Sequence, residues 1–346
     1  MLNIKRKFHL LTLLVLVLAG LLSACGPQAT PTAPVGSETM AVTDAQPAAT
    51  ATATLGAPTV LLVAGPDANP GTVSRVQATL EPLAAESSLA LTVVQGLTPD
   101  QLTENIRVVI GVGTAVDLNA LAPAAPGIQF VAIDQPAAVA GANLSVIGNP
   151  LVEEERQSFM GGYLAALVTT DYKVAGLIPS DTLYANETQD AYLIGTRFFC
   201  GLCNPKFPPY NTFPQLSTVP AASDAATLQN AVNTLVNLGT EVVYVHADLV
   251  TPELLEILSN AGLEVVGGAS PDMARNNWVG TVVIDPSPAL AALWPDLLAG
   301  GPGQQLPGSV TLLDTEAGLV SEGRIRLFEE IKADLEADLV LPETQH

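Results

Sequence analysis

The chain has 346 residues and carries 13 Lys and Arg against 34 Asp and Glu, which gives a formal net charge of −21 at pH 7. A surface this acidic repels nucleic acid and anionic lipid head groups, so the composition argues against nucleic acid as a partner. The three histidines, His9, His246 and His346, are scattered and too few for a histidine-based metal site. We therefore predict neither a metal nor another cofactor.

The first segment of the chain has the layout of a secretory signal. Residues 5–7 are basic, residues 8–22 are almost wholly apolar, and small residues lead into Cys25. The alternative is a transmembrane anchor, but the apolar run is shorter than the roughly 20 residues that a span prefers. The ending "LSAC" resembles the lipobox of bacterial lipoproteins. This resemblance implies a signal peptide at 1–24, lipidation of Cys25 and a lipid anchor on the extracytoplasmic face of the cell membrane.

The next segment, residues 25–57, is rich in Ala, Thr and Pro and shows no apolar periodicity. Such a sequence cannot bury enough apolar surface to fold, so we predict a disordered tether. Nearly 290 residues remain after the tether, which is enough for two domains.

From residue 59 onward, short apolar runs rich in β-branched residues alternate with longer helical patterns. Continuous apolar runs are typical of strands that are covered by helices on both faces. One helical pattern begins with Ser223 as its N-cap, and another begins with Thr251 and Pro252. Two rounds of strand–helix repeats, 59–147 and 173–267, predict an α/β protein with two lobes, each a doubly wound and mainly parallel sheet. The predicted strands are 59–64, 91–94, 107–111, 128–133, 173–178, 241–246, 263–267 and 278–284.

The loops that follow these strands are the candidate ligand-binding segments, because open parallel sheets bind ligands beyond the carboxyl ends of their strands. Many polar residues at such junctions are instead helix caps or turn residues, so both interpretations stay open. The candidate ligand-binding residues in these loops are Asp67, Asn69, Thr114, Asp134, Tyr184, His246, Asp248, Ser270, Asp272 and Trp278.

Sequence patterns of catalysis are mostly missing, and we predict no enzymatic activity. The chain has no G-x-S-x-G elbow, no P-loop and no H-E-x-x-H motif. The acidic run "EEER" at residues 153–156 has the paired carboxylates that acid–base catalysis uses, but we interpret it as the solvated start of a helix.

Two cysteines, Cys200 and Cys203, stand in a C-x-x-C spacing near the end of a helical pattern. A redox motif needs its first cysteine at a helix N-terminus, and a zinc site needs two further ligands. Nearby thiols outside the cell are usually oxidised. We predict a local disulfide, with unpaired or metal-linked thiols and redox catalysis as alternatives.

The segment "NLSVIGNPLVEEERQSFMGGYLAALVTTDYKVAGLI", residues 143–178, resembles the basic-membrane-protein family of solute-binding lipoproteins. The likeness rests on an acidic run, Ser158-Phe159-x-x-Gly162, a Leu-Ala-Ala helix and a Lys-Val strand. It implies a two-lobed, periplasmic-binding-protein-like (type I) fold that captures a small solute, in several relatives a purine nucleoside, for an ABC importer. Phe159 joins the candidate ligand-binding residues on this basis.

The chain departs from that family at positions that hold the nucleoside. Ala269 stands where the family has the acid that contacts ribose, and Ile284 replaces a lysine that is frequent in the late strand. The loop after the first strand also lacks an aromatic residue that would stack on a base.

These observations lead to one main hypothesis and two alternatives. We expect an extracytoplasmic solute-binding protein that works with ABC permease subunits and binds a small polar ligand between its lobes, with a nucleoside as one candidate. The predicted lobes are 58–148 with 275–308, and 149–274 with 309–346. The alternatives are a sensor or regulatory lipoprotein with the same fold, and a thiol oxidoreductase that uses Cys200 and Cys203.

Overall fold

A computed structural model describes residues 56–342. The predicted signal peptide, Cys25 and most of the predicted tether lie outside the described residues, as does His346. In the described part of the chain, no helix is both long enough and apolar enough to cross a lipid bilayer.

Strands and helices alternate along residues 56–342. The strands are β1 (Thr59–Ala64), β2 (Ala90–Val94), β3 (Ile106–Val112), β4 (Gln129–Ile133), β5 (Leu144–Ile147), β6 (Val174–Pro179), β7 (Gln215–Val219), β8 (Val242–Val245), β9 (Glu264–Gly267), β10 (Trp278–Asp285), β11 (Gln305–Leu306) and β12 (Ser309–Leu313). The α-helices are α1 (Pro70–Glu86), α2 (Leu118–Ala124), α3 (Pro150–Val168), α4 (Ala185–Cys200), α5 (Ala225–Asn237), α6 (Pro252–Asn260), α7 (Ser287–Ala299) and α8 (Glu322–Glu336).

The first lobe is built on a parallel sheet with the strand order β11-β5-β4-β3-β1-β2. Helices α1 and α7 cover one face, where Val76, Leu80 and Trp294 pack on the sheet. Helix α2 covers the other face through Leu118 and Leu121. Because both faces are buried, the central strands read as continuous apolar runs.

The second lobe is built on a sheet with the strand order β12-β10-β9-β8-β6-β7, in which the β10–β12 pair is antiparallel and the other four pairs are parallel. Helices α3, α4 and α8 pack on one face, with Phe159, Tyr192 and Phe328 fully buried there. Helices α5 and α6 cover the other face. The two sheets confirm the predicted α/β class with mainly parallel, doubly wound sheets.

Helices α3 and α4 pack unusually close to each other, because each places glycine at the contact. A Cβ atom added to Gly195 would lie 1.9 Å from the carbonyl oxygen of Phe159, and one added to Gly162 would lie 2.4 Å from that of Tyr192. Both distances are far below van der Waals contact, so this packing requires glycine.

Two helix starts allow the predicted caps to be compared with the structure. The hydroxyl of Thr251 caps α6 by accepting from the amide of Leu254 at 3.3 Å, as predicted. The predicted cap Ser223 is wrong by one residue: α5 is capped by Asp224, whose carboxylate accepts from the amide of Thr227 at 2.8 Å, while the hydroxyl of Ser223 donates to the carbonyl of Pro220.

The lobe boundary near residue 275 differs from the sequence-based boundary. Strand β10 pairs with β9 and β12 in the second sheet, whereas the prediction placed it in the first lobe. Its first residue, Trp278, is buried because Gly267 on β9 leaves room for the indole. The chain therefore returns to the first lobe only after Asp285, where α7 begins to pack on the first sheet.

Within residues 56–342, three segments connect the lobes: the junction of Gly148 and Asn149, the junction of Asp285 and Pro286, and the link from β11 to β12. These segments lie side by side. The amide of Gly148 donates to the carbonyl of Leu306 at 2.8 Å, and a Cβ added to Gly308 would lie 2.3 Å from a side-chain methyl of Ile284. The connections are thus gathered in one place between the two sheets.

A disulfide joins Cys200 to Cys203 where α4 ends. The loop that follows is tied to residues just before β6, because Asp171 accepts from the amides of Lys206 and Phe207. Lys173 lies 2.8 Å from the carboxylate of Asp171 and donates to the carbonyl of Pro208 at 3.1 Å. The disulfide loop therefore covers the amino-terminal end of the second sheet, opposite to the end that faces the first lobe.

Candidate functional site

A cleft of about 540 Å³ lies between the carboxyl ends of the two sheets, next to the three connecting segments. Both lobes contribute to its walls, largely through the first turns of α1 and α3 and the loops after β4, β6, β8 and β9. The residues that line it are Asn69, Pro70, Gly71, Thr72, Arg75, Asp134, Pro150, Glu153, Glu154, Gln157, Tyr184, Ala247, Gly268, Ala269, Ser270, Val283 and Ile284.

On the first lobe, the start of α1 supplies a polar wall. Asn69 is the N-cap, and its side-chain oxygen accepts from the amides of Gly71 at 2.9 Å and Thr72 at 3.2 Å. Residues three apart share one helix face, so Thr72 and Arg75 follow Asn69 toward the cleft. The guanidinium of Arg75 donates to the hydroxyl of Thr72 at 3.3 Å, and its Nε lies 3.5 Å from a carboxylate oxygen of Asp285.

Asp134 follows β4 with a φ of 54°, in the left-handed region that Asp adopts more readily than most residues. Its carboxylate is open to the water in the cleft, but the surrounding protein still removes part of its hydration. This burial raises the pKa of Asp134, while the charge of Arg75 and a hydrogen bond from Thr72 act in the opposite direction.

On the second lobe, the first turn of α3 places Glu153 against the connecting segments. A Cβ on Gly148 or Gly308 would lie 2.8 or 2.7 Å from its Oε1, so both glycines make room for the carboxyl group. Burial raises the pKa of Glu153 to about 7, and the nearby charges of Asp134 and Glu154 add to this effect. Glu153 thus changes its charge close to neutral pH.

Glu154 is held by a buried histidine. Nε2 of His246 lies 2.8 Å from Oε2 of Glu154, and Nδ1 accepts from the amide of Asp248 at 3.3 Å. Because Nδ1 is an acceptor, the ring proton is assigned to Nε2, which donates to Glu154.

Gln157 lies one turn further along α3. Its side-chain amide donates to the carbonyls of Gly268 at 2.6 Å and Val282 at 2.7 Å. These two bonds use both of its N–H donors and connect α3 to the end of β9 and to the middle of β10.

Of the eleven residues predicted to bind ligand, Asn69, Asp134, Tyr184 and Ser270 line the cleft. His246 lies just behind the cleft and contacts Glu154 directly. Asp248 lies next to it, and its amide donates to the histidine ring. These six residues are therefore brought to one region of the structure.

The other five predicted residues have local partners away from the cleft lining. Asp67 accepts from the amide and the hydroxyl of Thr114, both at 2.6 Å, and these bonds lower the pKa of Asp67. Asp272 pairs with Arg275 at 2.9 Å. Phe159 and Trp278 are buried in the core of the second lobe.

The sequence analysis did not select five of the polar residues that line the cleft: Thr72, Arg75, Glu153, Glu154 and Gln157. The run "EEER" does begin a helix, as interpreted, but it is not a solvated helix start, since Glu155 and Arg156 are buried. The sequence did contain a signal for these residues: the run comes a few residues after the predicted lobe boundary at 148–149, and a ligand cleft lies at such a boundary.

The cleft offers amide and guanidinium donors together with hydroxyl and carboxylate acceptors, a set that suits a small polar ligand. Within residues 56–342, no group of three or more His, Cys, Asp or Glu side chains is arranged to hold a metal ion.

Comparisons with known proteins relate this chain to others through its fold. No protein-family model matches the chain, and no curated protein matches its sequence. A solute-binding protein of an ABC transporter system from Aeropyrum pernix K1 is similar in structure, with a TM-score of 0.56 and 14% identity over 84% of this chain and 95% of that chain. Another, from Conexibacter woesei DSM 14684, has a TM-score of 0.61 and 15% identity over 82% of this chain and 98% of that chain.

A transcriptional activator of the comK gene from Bacillus halodurans is similar to the same degree, with a TM-score of 0.60 and 13% identity over 82% of this chain and 100% of that chain. At these identities the comparisons show the fold alone. The chain has the type I, periplasmic-binding-protein-like fold that the sequence predicted.

Proposed function

We propose that this protein is an extracytoplasmic solute-binding protein, held to the membrane by a lipid on Cys25, which binds a small polar ligand between its lobes and delivers it to an ABC importer. The observation that carries the proposal is the cleft, in which polar side chains from both lobes converge at the carboxyl ends of two parallel sheets. The structural likeness to two ABC solute-binding proteins supports it. In this role the protein binds its ligand without changing it chemically.

The three neighbouring connections between the lobes suit such a role. Segments gathered at one side of a cleft allow two rigid lobes to rotate about them, and ligand contacts from both lobes then favour the closed form. The permease would recognise that closed form.

Membership of the basic-membrane-protein family, and a nucleoside as the ligand, form a finer part of the proposal. They are supported by the motifs between residues 143 and 178. However, Ala269 and Ile284, which replace two of the family's nucleoside-contacting groups, both line the cleft. Tyr184 is the one aromatic side chain among its described lining residues, so a base would have at most one ring to stack on.

The test is a ligand screen on the full-length chain, purified in detergent, with a cleft-blocking variant as comparison. Ser270 lines the cleft and Ser259 is exposed on α6, so S270W fills the cleft while S259W is its matched control. A ligand at about 100 times its Kd stabilises the folded state by about 2.7 kcal/mol, which is measured as a rise in Tm. The panel contains nucleosides, sugars, amino acids and amines.

We expect one ligand class to raise the Tm of the parent protein and of S259W but not of S270W. No rise with any compound, or an equal rise in S270W, contradicts binding in the cleft. Labelling of the protein with a palmitate analogue tests the anchor, and C25S should abolish the label.

The likeness to a transcriptional activator favours a second candidate, a sensor that uses the same cleft to signal. Deletion of the gene separates the two candidates. If the protein serves an importer, the deleted cells lose uptake of the ligand. If it is a sensor, they keep basal uptake and lose the transcriptional response to the ligand.

A further inference from the structure

The charges on the cleft walls are unequal. Among the described residues that line the cleft, Arg75 is the one basic side chain, whereas Asp134, Glu153 and Glu154 are acidic. A ligand that enters the cleft therefore meets more negative than positive charge.

The positive charge of Arg75 is already matched within the protein. Its Nε lies 3.5 Å from a carboxylate oxygen of Asp285, and its charge also attracts Asp134, so two carboxylates share one positive charge and a negative charge is left over. Both Arg75 and Asp285 are mostly buried, so their attraction is less screened than that of an exposed pair. Little of the positive charge on Arg75 remains for an anionic ligand.

On the opposite wall, the negative charges of Glu153 and Glu154 are balanced less completely by positive groups of the protein. Glu154 accepts a hydrogen bond from His246, and a single ring proton on Nε2 accounts for that contact. Glu153 accepts from the amide of Gly308, while Asp134 and Glu154 repel its charge and Arg156 attracts it. A carboxylate in a partly dehydrated site near two others is strongly stabilised by a cation.

On the premise that this cleft is the binding site, we propose that its ligand is a small organic cation whose ammonium group binds the carboxylates of Asp134, Glu153 and Glu154. An ammonium group carries up to three N–H donors, and charge-assisted bonds to carboxylates are stronger than bonds between neutral groups. The ring of Tyr184 offers a further favourable surface to a cation. Asn69 and Ser270, also in the lining, are available to polar groups elsewhere on the ligand.

The experiment is isothermal titration of the full-length chain in detergent at pH 7. The cationic probes are putrescine, spermidine and choline, and the comparison probes are adenosine, ribose and glutarate. The variants D134N and E153Q each remove one carboxylate of the cleft. E104Q removes an exposed carboxylate in the loop before β3 and is the matched control.

We expect at least one amine to bind, and each of D134N and E153Q to weaken that binding by about tenfold or more, while E104Q leaves it unchanged. A second measurement does not depend on the variants. Binding of a cation favours the ionised form of Glu153, so the protein should release protons when the ligand binds. The buffer takes up these protons, so the measured heat should differ between two buffers of different ionisation enthalpy.

The other outcomes contradict the inference in distinguishable ways. If adenosine, ribose or glutarate binds and no amine does, the inference on charge is wrong and the proposed solute-binding function stands. If an amine binds equally well to D134N, E153Q and S270W, its site lies elsewhere and the inference is wrong. If no probe binds, the inference and the proposed function both fail.

Discussion

The unusual titration of Glu153 should make the stability of the protein depend on pH, and E153Q should remove that dependence. The pKa of this carboxyl is raised from an ordinary value of 4.5 to about 7, chiefly by burial and also by Asp134 and Glu154. A glutamine has nearly the same shape and can still accept from the amide of Gly308, but it never ionises. The substitution therefore isolates the cost of the charge.

The magnitude follows from the two pKa values. Each tenfold change in an acid constant corresponds to about 1.4 kcal/mol, so ionisation of Glu153 costs the folded state up to about 3.5 kcal/mol. The folded protein holds its proton up to about pH 7, whereas the unfolded chain releases it above pH 4.5. Stability therefore falls as the pH rises through this window, and about 2.5 kcal/mol of the loss develops between pH 5 and pH 8.

The assay is calorimetric unfolding of the full-length chain at pH 5 and pH 8. At pH 8 we expect E153Q to melt roughly 5 °C above the parent protein, because 1 kcal/mol shifts the Tm of a protein of this size by a little under about 2 °C. At pH 5 most of this gain should disappear. The exposed-site variant E104Q should differ from the parent by the same small amount at both pH values.

The reasoning is refuted if E153Q gains no stability between pH 5 and pH 8 relative to the parent. A variant that is less stable than the parent at pH 8 would show that the carboxylate has a stabilising partner in the folded protein. Either result would also remove the support that crowded charge gives to a cationic ligand.

Two further substitutions test the packing of the second lobe and the role of the disulfide. G195V should lower stability by about 1–3 kcal/mol or more, because its side chain meets the backbone of α3, whereas G96A, with no atom within 4 Å of an added Cβ, should leave the Tm almost unchanged. Equal Tm values for the two would contradict the close contact of α3 and α4. The double variant C200S/C203S should lose at most about 2 kcal/mol, since the disulfide closes a ring of very few residues. Its ligand affinity should be unchanged, because the disulfide lies away from the cleft, and a loss of binding would contradict this placement.

The strands were largely predictable from the sequence because burial on both faces leaves continuous apolar runs. All eight predicted strands are present, and their ends differ from the predicted ends by at most one residue. Strands β5, β7, β11 and β12 were not predicted. Strand β7 is half-exposed at a sheet edge and mostly polar, and β11 has only two residues, so neither carries a long apolar run.

The cleft was less predictable, and the reason is geometric. The rule that ligands bind beyond the carboxyl ends of strands selects loops, and it found Asn69, Asp134, Tyr184 and Ser270. It does not tell which loop residues bond to each other, as Asp67 and Thr114 do.

Residues that reach the cleft from inside a helix were missed for a related reason. Arg75 and Gln157 stand one turn or more beyond the first residue of α1 and of α3, and a search of loops does not select such positions. Glu153 and Glu154 lie in an acidic run, which usually marks a solvated helix start. Only the packing of Gly148 and Gly308 reveals how enclosed Glu153 is.

The position of α7 in the chain has a consequence for biosynthesis. Helix α7 covers one face of the first sheet, yet it follows the first ten strands and therefore nearly all of the second lobe. A nascent chain cannot complete the core of the first lobe until α7 has left the ribosome. This delay keeps the growing polypeptide extended for longer, which suits a protein whose proposed leader directs it through a membrane before it folds.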